Sequence, residues 1–313
     1  MSVTFLVGGQ GGQYFGMGTR LYDSSPDFAA RCDLADSVTR SQYGLSVLDY
    51  IYDPSRRVED PCDDLLLSSA ALLATQTGLA AALGRHGVVP SAVVGSSLGE
   101  FIALVVAGRL TFDSALAYVL EFAADATRRM PLGWMAALLG DGQKSLPAFA
   151  RSLRVDLVSF TCDRHVVIAG RNGQWREVRD RAVEEELTLT VLPVPHAFHT
   201  PDVACLAPRL QPVRLEPPGD VSVLRCATAQ KVEAHLPDPY ATLRLPMRLV
   251  DTVMSLPSRE RRLVIDLSPG GGLAAALRLA DRSLTTRAVM TPFHQEIEEV
   301  ERVAQLAARA HHA

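Results

Sequence analysis

A serine flanked by glycines, in Gly95-Ser96-Ser97-Leu98-Gly99, is the residue pattern in this sequence best suited to covalent chemistry. Residues 91–95 before it form a short apolar run that reads as a strand. Residues 98–108 after it read as an apolar helix that ends on glycine. A serine on such a strand-to-helix turn is a nucleophile elbow, whose tight turn needs small flanking residues. The Leu98 N–H and the helix N-terminus then face the place where an oxyanion would develop. Ser97 is therefore expected to form a covalent acyl-serine intermediate, provided that a base takes its proton.

The sequence offers eight histidines for that role: His86, His165, His196, His199, His235, His294, His311 and His312. His311 and His312 close the chain, His86 lies by a helix end, and His165 and His235 have no neighbouring motif. His196 and His199 fall in Val194-Pro195-His196-Ala197-Phe198-His199-Thr200-Pro201, at a seam between two parts of the chain where a cleft would lie. His294 is a rival, because Asp266 ends a predicted strand upstream of it. Ser97, Asp266 and His294 would follow the chain order of an α/β-hydrolase triad, and spacing alone leaves both bases open.

These residues need a frame. Val3–Val7 is an apolar, β-branched run that leads into Gly8-Gly9-Gln10-Gly11-Gly12-Gln13, which reads as a buried first strand followed by a loop of exposed backbone. Helices are predicted over 61–86, 111–129 and 273–279, and further strands over 221–226 and 263–267. Between residues 130 and 197 the order of predicted elements is βαββαβ, with strands over 133–140, 157–160, 165–169 and 187–194 and helices over 146–153 and 175–186. That order is the ferredoxin-like arrangement. The expected architecture is an α/β-hydrolase-like core with a parallel sheet (residues 1–129 and 198–313) plus an inserted ferredoxin-like subdomain (130–197).

Bulk properties narrow the function class. The chain has 313 residues, 48% hydrophobic and 21% charged, with a formal net charge of −4. No basic excess marks a nucleic-acid binder. The five cysteines are odd in number and none are spaced Cys-x-x-Cys, which argues against a disulfide framework or a metal site and for a reducing cytoplasm. No signal peptide and no membrane-spanning run of about 18 apolar residues is read, and a monomer is expected.

The motifs together resemble the malonyl-CoA:acyl carrier protein transacylase family, which includes the acyltransferases of polyketide synthases, and among these a discrete, trans-acting enzyme. Gly9-Gln10-Gly11-Gly12-Gln13 looks like the family's opening Gly-Gln-Gly-Ser-Gln, and Gly95-Ser96-Ser97-Leu98-Gly99-Glu100 like its Gly-His-Ser-Leu-Gly-Glu. Gly133-Trp134-Met135-Ala136-Ala137 resembles Gly-Ala-Met-Ala-Ala. His196-Ala197-Phe198-His199-Thr200-Pro201 resembles His-Ala-Phe-His-Ser-Pro, and Ser268-Pro269-Gly270 resembles the late Gly-Pro-Gly. The resemblance implies Ser97 as acylated nucleophile, His199 as its base, and the backbone N–H groups of Gln10 and Leu98 as oxyanion hole. It implies no carboxylate third member. A backbone carbonyl just after a proline orients the histidine in that family, and Leu245-Pro246-Met247-Arg248 points to the carbonyl of Arg248. The implied partners are an acyl thioester and acyl carrier proteins. The phosphopantetheine comes with the carrier protein or CoA, and no cofactor is bound by the chain itself. Docking candidates for an acidic carrier are Arg151, Arg154, Arg278, Arg282 and Arg287.

The departures from the family pattern are as informative. The arginine that pairs with a malonyl carboxylate falls at Phe122, and no arginine occurs between Arg109 and Arg128. The glutamine before the Leu-Leu-Ala run is Ser69, the histidine before the nucleophile is Ser96, and the Ala of Gly-Ala-Met is Trp134. These residues predict a pocket for an acyl group without a free carboxylate, since an unpaired buried carboxylate costs several kcal/mol. Phe198, also placed in the acyl pocket, points the other way, because an aromatic there accompanies small malonyl units in that family, and the missing arginine outweighs it. Two alternatives share the motifs: an acyl-ACP thioester hydrolase that passes the acyl group to water, and a non-catalytic carrier-protein docking protein.

Overall fold

The computed structural model describes residues 2–208, 210, 213–233 and 238–311. Its strands are, in chain order, β1 (Val3–Val7), β2 (Ala92–Gly95), β3 (Gly133–Leu139), β4 (Asp156–Cys162), β5 (His165–Arg171), β6 (Thr188–Val191), β7 (Ser222–Arg225), β8 (Gln230–Lys231), β9 (Leu263–Asp266) and β10 (Thr286–Ala288). They form two sheets. The larger has the order β10-β9-β1-β2-β7-β8, parallel throughout except for the short edge strand β8. The smaller has the order β4-β5-β3-β6 and is antiparallel.

The apolar runs of β1, β2 and β9 follow from their position at the centre of a parallel sheet covered on both faces. Phe5, Val93 and Ile265 point to one face. There they meet the helices Leu65–Arg85, Gly99–Val106 and Phe112–Arg129. Leu6, Val94 and Val264 point to the other, against the helices Leu249–Ser255 and Gly272–Ala280. Helix Leu65–Arg85 is long and apolar enough to cross a membrane by length and composition, but 83% of that stretch is buried inside the protein, where it serves as the core helix.

The smaller sheet carries the predicted βαββαβ order, with helices Leu146–Ser152 and Trp175–Glu184. Its two faces are used differently. Trp134, Ala136 and Leu138 of β3 pack under those helices with Leu146, Phe149 and Val178. Met135, Val158, Val167 and Ala169 face the large core instead. The fold is thus the expected α/β class, a parallel core plus a ferredoxin-like unit. Helices Pro26–Tyr43 and Glu296–His311 were not foreseen, nor were strands β8 and β10.

The turn after β2 is a sterically tight point of this frame. A Cβ on Gly99 would lie 2.2 Å from the Val7 carbonyl oxygen, a backbone atom of the central strand. Only glycine lets the elbow helix start this close to β1. Gly99→Ala is expected to destabilise the protein by about 3 kcal/mol or more, at the upper end of overpacking costs. A thermal melt followed by circular dichroism checks it; an unchanged midpoint would mean that the turn is not constrained by β1.

Candidate active site

Ser97 lies between β2 and the helix Gly99–Val106 with φ 57°, a left-handed backbone that a non-glycine residue adopts only under constraint. His199 has φ 63° and is held at three points. Its backbone N–H donates to the Leu243 carbonyl at 2.8 Å. Its ring Nδ1 lies 2.8 Å from the Leu245 carbonyl, and its Nε2 lies 2.9 Å from Ser97 Oγ. A carbonyl can only accept, so Nδ1 carries the proton and the Nε2 lone pair accepts from the serine hydroxyl.

The orienting carbonyl is a correction. Arg248, expected for this role, directs its carbonyl to Thr252 instead, accepting from its N–H at 2.9 Å and its Oγ1 at 2.6 Å, and so starts helix Leu249–Ser255. Leu245 follows the helix Pro239–Arg244 and precedes Pro246, at φ −79° and ψ 147°. A residue before proline is confined to this extended region, so its carbonyl leaves the helix axis and meets the imidazole.

Burial pushes His199 down to about 4; the Leu245 hydrogen bond opposes this and the nearby Arg244 charge adds to it. The ring is therefore neutral near pH 7. The rival triad is not assembled. Asp266 is fully buried and accepts from Ser268 N–H (2.9 Å), Ser268 Oγ (2.5 Å) and Ala274 N–H (2.8 Å), which caps the helix Gly272–Ala280. Burial raises its carboxyl to about 6, against the pull of those hydrogen bonds. His294 stands edge-on to Tyr14, its Nδ1 3.9 Å from Glu296. His196 is buried, with Nδ1 3.1 Å from the Pro131 carbonyl. His235 and His312 lie outside the described residues.

The loop after β1 closes over the elbow. Gln76 of the core helix binds both backbone groups of Gly8, with Oε1 accepting at 2.8 Å and Nε2 donating at 2.9 Å. Gln10 is pinned through its side chain, which donates to Ser69 Oγ. Among the described residues, neither the Gln10 nor the Leu98 backbone N–H has an acceptor, so both remain available beside Ser97.

A cavity of about 210 Å³ opens at Ser97, between the 8–12 loop, the inner face of the small sheet and the residues Met247, Leu249, Leu273 and Ala276. Ser96 lines it and donates to Met247 Sδ. Ser69 stands one step behind, through Gln10. Phe122 and Phe198 do not line it; they form a buried pair with ring centres 5.6 Å apart. Trp134 is a further correction. Strand alternation turns it to the outer face of the small sheet, where it packs on Trp175 and donates to the Arg171 carbonyl. Its neighbours Met135 and Ala137 take the inner face. Sequence reasoning missed Ser159, Thr161 and His165, which enter the wall from β4 and β5; an alternation count along those strands would have found them, but for the two irregularities in β4. Burial lowers His165, whose Nδ1 is 2.9 Å from Thr161 Oγ1. Among the described residues, no arginine or lysine lines this cavity. Arg151, Arg154, Arg278, Arg282 and Arg287 are all exposed and lie outside it.

The model of the acyl transferase domain family matches residues 4–313. The chain belongs to that family and is an acyltransferase. It is 30% identical over 311 residues to the polyketide biosynthesis acyltransferase homolog BaeD of Bacillus velezensis, covering 96% of this chain and 95% of that protein. It is also 30% identical over 317 residues to the homolog PksD of Bacillus subtilis, with the same coverage. Among solved structures it is similar to a loading acyltransferase of the avermectin polyketide synthase, with TM-score 0.85, 20% identity, and 98% of this chain and all of that one covered. It is also similar to MCAT from Streptococcus pneumoniae, with TM-score 0.76, 23% identity, and 96% and 100% covered.

The geometry predicts that His199→Ala slows labelling of Ser97 by a fluorophosphonate by about 10²–10⁴-fold, while His294→Ala does not. The base must be unprotonated, so the labelling rate rises with pH through about 4 and is flat above it. A midpoint near 6.5, or sensitivity to His294 instead, would contradict the assignment.

Proposed function

We propose that the enzyme moves an acyl group lacking a free carboxylate, through an acyl-serine at Ser97, onto the phosphopantetheine thiol of an acyl carrier protein in polyketide biosynthesis. The observation that carries this reading is the Ser97–His199–Leu245 contact set, opening on a cavity whose wall, among the described residues, holds no arginine or lysine. In the proposed reaction Ser97 Oγ attacks the thioester carbonyl as its proton passes to His199 Nε2. The Gln10 and Leu98 N–H groups receive the oxyanion. The proton returns to the departing thiolate, and the acyl-serine remains. A carrier thiol then attacks by the same steps in reverse.

The absent cation favours neutral acyl groups. The carbonyl behind His199 stabilises a transient imidazolium less than a carboxylate would, which suits thioesters, whose thiolate leaves readily. The names of the full-length relatives support the polyketide setting. Arg151, Arg154, Arg278, Arg282 and Arg287 are the proposed contacts for an acidic carrier, and a docking face of this kind weakens with salt.

Intact-protein mass spectrometry after incubation with acetyl, propionyl and malonyl thioesters tests the proposal. A neutral acyl adduct is expected on Ser97, absent in Ser97→Ala, with malonyl at least about 100-fold slower, as loss of a carboxylate partner worth some 3 kcal/mol implies. Rapid malonylation would overturn the acyl selectivity. An adduct discharged by water faster than by a carrier thiol would identify a hydrolase instead.

A further inference from the structure

Glu100 stands three residues after Ser97, on the elbow helix, and is 1% exposed. Its carboxylate accepts three hydrogen bonds. Oε2 accepts from Arg225 Nε at 2.7 Å and from Thr242 Oγ1 at 2.6 Å, and Oε1 accepts from the Ala227 N–H at 3.0 Å. Arg225, at the end of β7, also donates through Nη2 to Thr242 Oγ1 at 2.7 Å and to the Asp238 carbonyl at 2.9 Å. The ties through Thr242 and the Asp238 carbonyl reach the helix Pro239–Arg244 and the residue that caps its start, while those from Arg225 and Ala227 anchor Glu100 to the end of β7.

That helix is the one that holds His199. Leu243, next to Thr242, offers the carbonyl that takes the His199 backbone N–H. Leu245, just past the helix end, offers the carbonyl that takes Nδ1. One buried carboxylate therefore connects the helix that begins at the nucleophile to the helix that fixes both the backbone and the ring of its partner. A buried ion pair contributes little net stability against an apolar replacement, and its best-attested use is to fix register. We propose that Glu100 is a positioning residue: with Arg225 and Thr242 it sets the separation between Ser97 and His199 by locking the Leu243–Leu245 carbonyls to the elbow helix.

This role rests on the reading of Ser97 and His199 as the reacting pair. The test compares Glu100→Ala, Thr242→Val and Thr242→Ser, with Ser97→Ala and His199→Ala as controls. Each is read by thermal melt, by fluorophosphonate labelling of Ser97 across pH, and by nitrogen NMR of the His199 ring. A displacement near 1 Å at a reacting centre costs on the order of 100-fold, so Glu100→Ala is expected to lose about that much and Thr242→Val about tenfold. Thr242→Ser, which keeps the hydroxyl, restores most of the rate. A loosened ring regains solvent, so the acid limb moves from about 4 toward 6.5 in the slow variants, and the NMR titration moves with it. A purely structural role would lower the melt without moving that limb. Folded Glu100→Ala and Thr242→Val proteins that label within twofold of wild type, with the limb unmoved, would overturn the role. If Glu100→Ala does not fold, the Thr242 pair decides alone. Should His199→Ala label normally, the reacting pair itself is wrong, and the positioning role falls with it.

Discussion

The proposed active site depends on one hydrogen bond, from the His199 Nδ1–H to the Leu245 carbonyl. It fixes the tautomer, aims Nε2 at Ser97, and does so with a neutral acceptor. A carboxylate in that position would raise the basicity of the ring and stabilise its protonated form. A carbonyl does neither strongly, and burial then depresses the imidazole well below its ordinary value. The result is an imidazole that is neutral near pH 7, the form the proposed general base requires. In the proposed reaction such a base suffices, because a thioester needs little help to expel its thiolate.

Much of the surrounding structure keeps that hydrogen bond and its serine in register. Pro246 holds Leu245 extended, and the helix Pro239–Arg244 delivers its carbonyls. The core helix Leu65–Arg85 contributes Gln76, which clamps Gly8, and Ser69, which pins Gln10. The loop that closes over Ser97 is therefore anchored to the long core helix. The two sheets serve different needs: the parallel sheet supplies a rigid elbow, and the antiparallel sheet lays one face over it to make a wall. That wall mixes apolar side chains with Ser159, Thr161 and His165, whose imidazole pKa burial lowers.

Much of this was legible in the residues alone. The apolar runs of β1, β2 and β9 and the βαββαβ order were readable because hydrophobic periodicity and glycine punctuation are local signals. Gly95-Ser96-Ser97-Leu98-Gly99 announced an elbow because steric demand at a tight turn is also local. His199 was singled out by resemblance, whereas the spacing of Ser97, Asp266 and His294 fitted a triad equally well. The fold separates those two readings: Asp266 is consumed by the helix that starts at Gly272, and His294 faces Tyr14.

The sequence by itself determined the central strands of the parallel sheet, the βαββαβ order and the strand-to-helix elbow at Ser97. Tertiary structure decided which groups meet. Trp134 left the expected pocket because a strand's two faces differ by one residue, and only packing says which face is inside. Leu245 replaced Arg248 because a backbone carbonyl has no side-chain signature, and its direction depends on where a helix ends. Glu100 and Thr242, 142 residues apart, share a hydrogen bond that no local pattern encodes. Contacts of that kind are set by the closing of the chain on itself, and their physical cause is the need of a buried charge for partners from wherever the fold brings them.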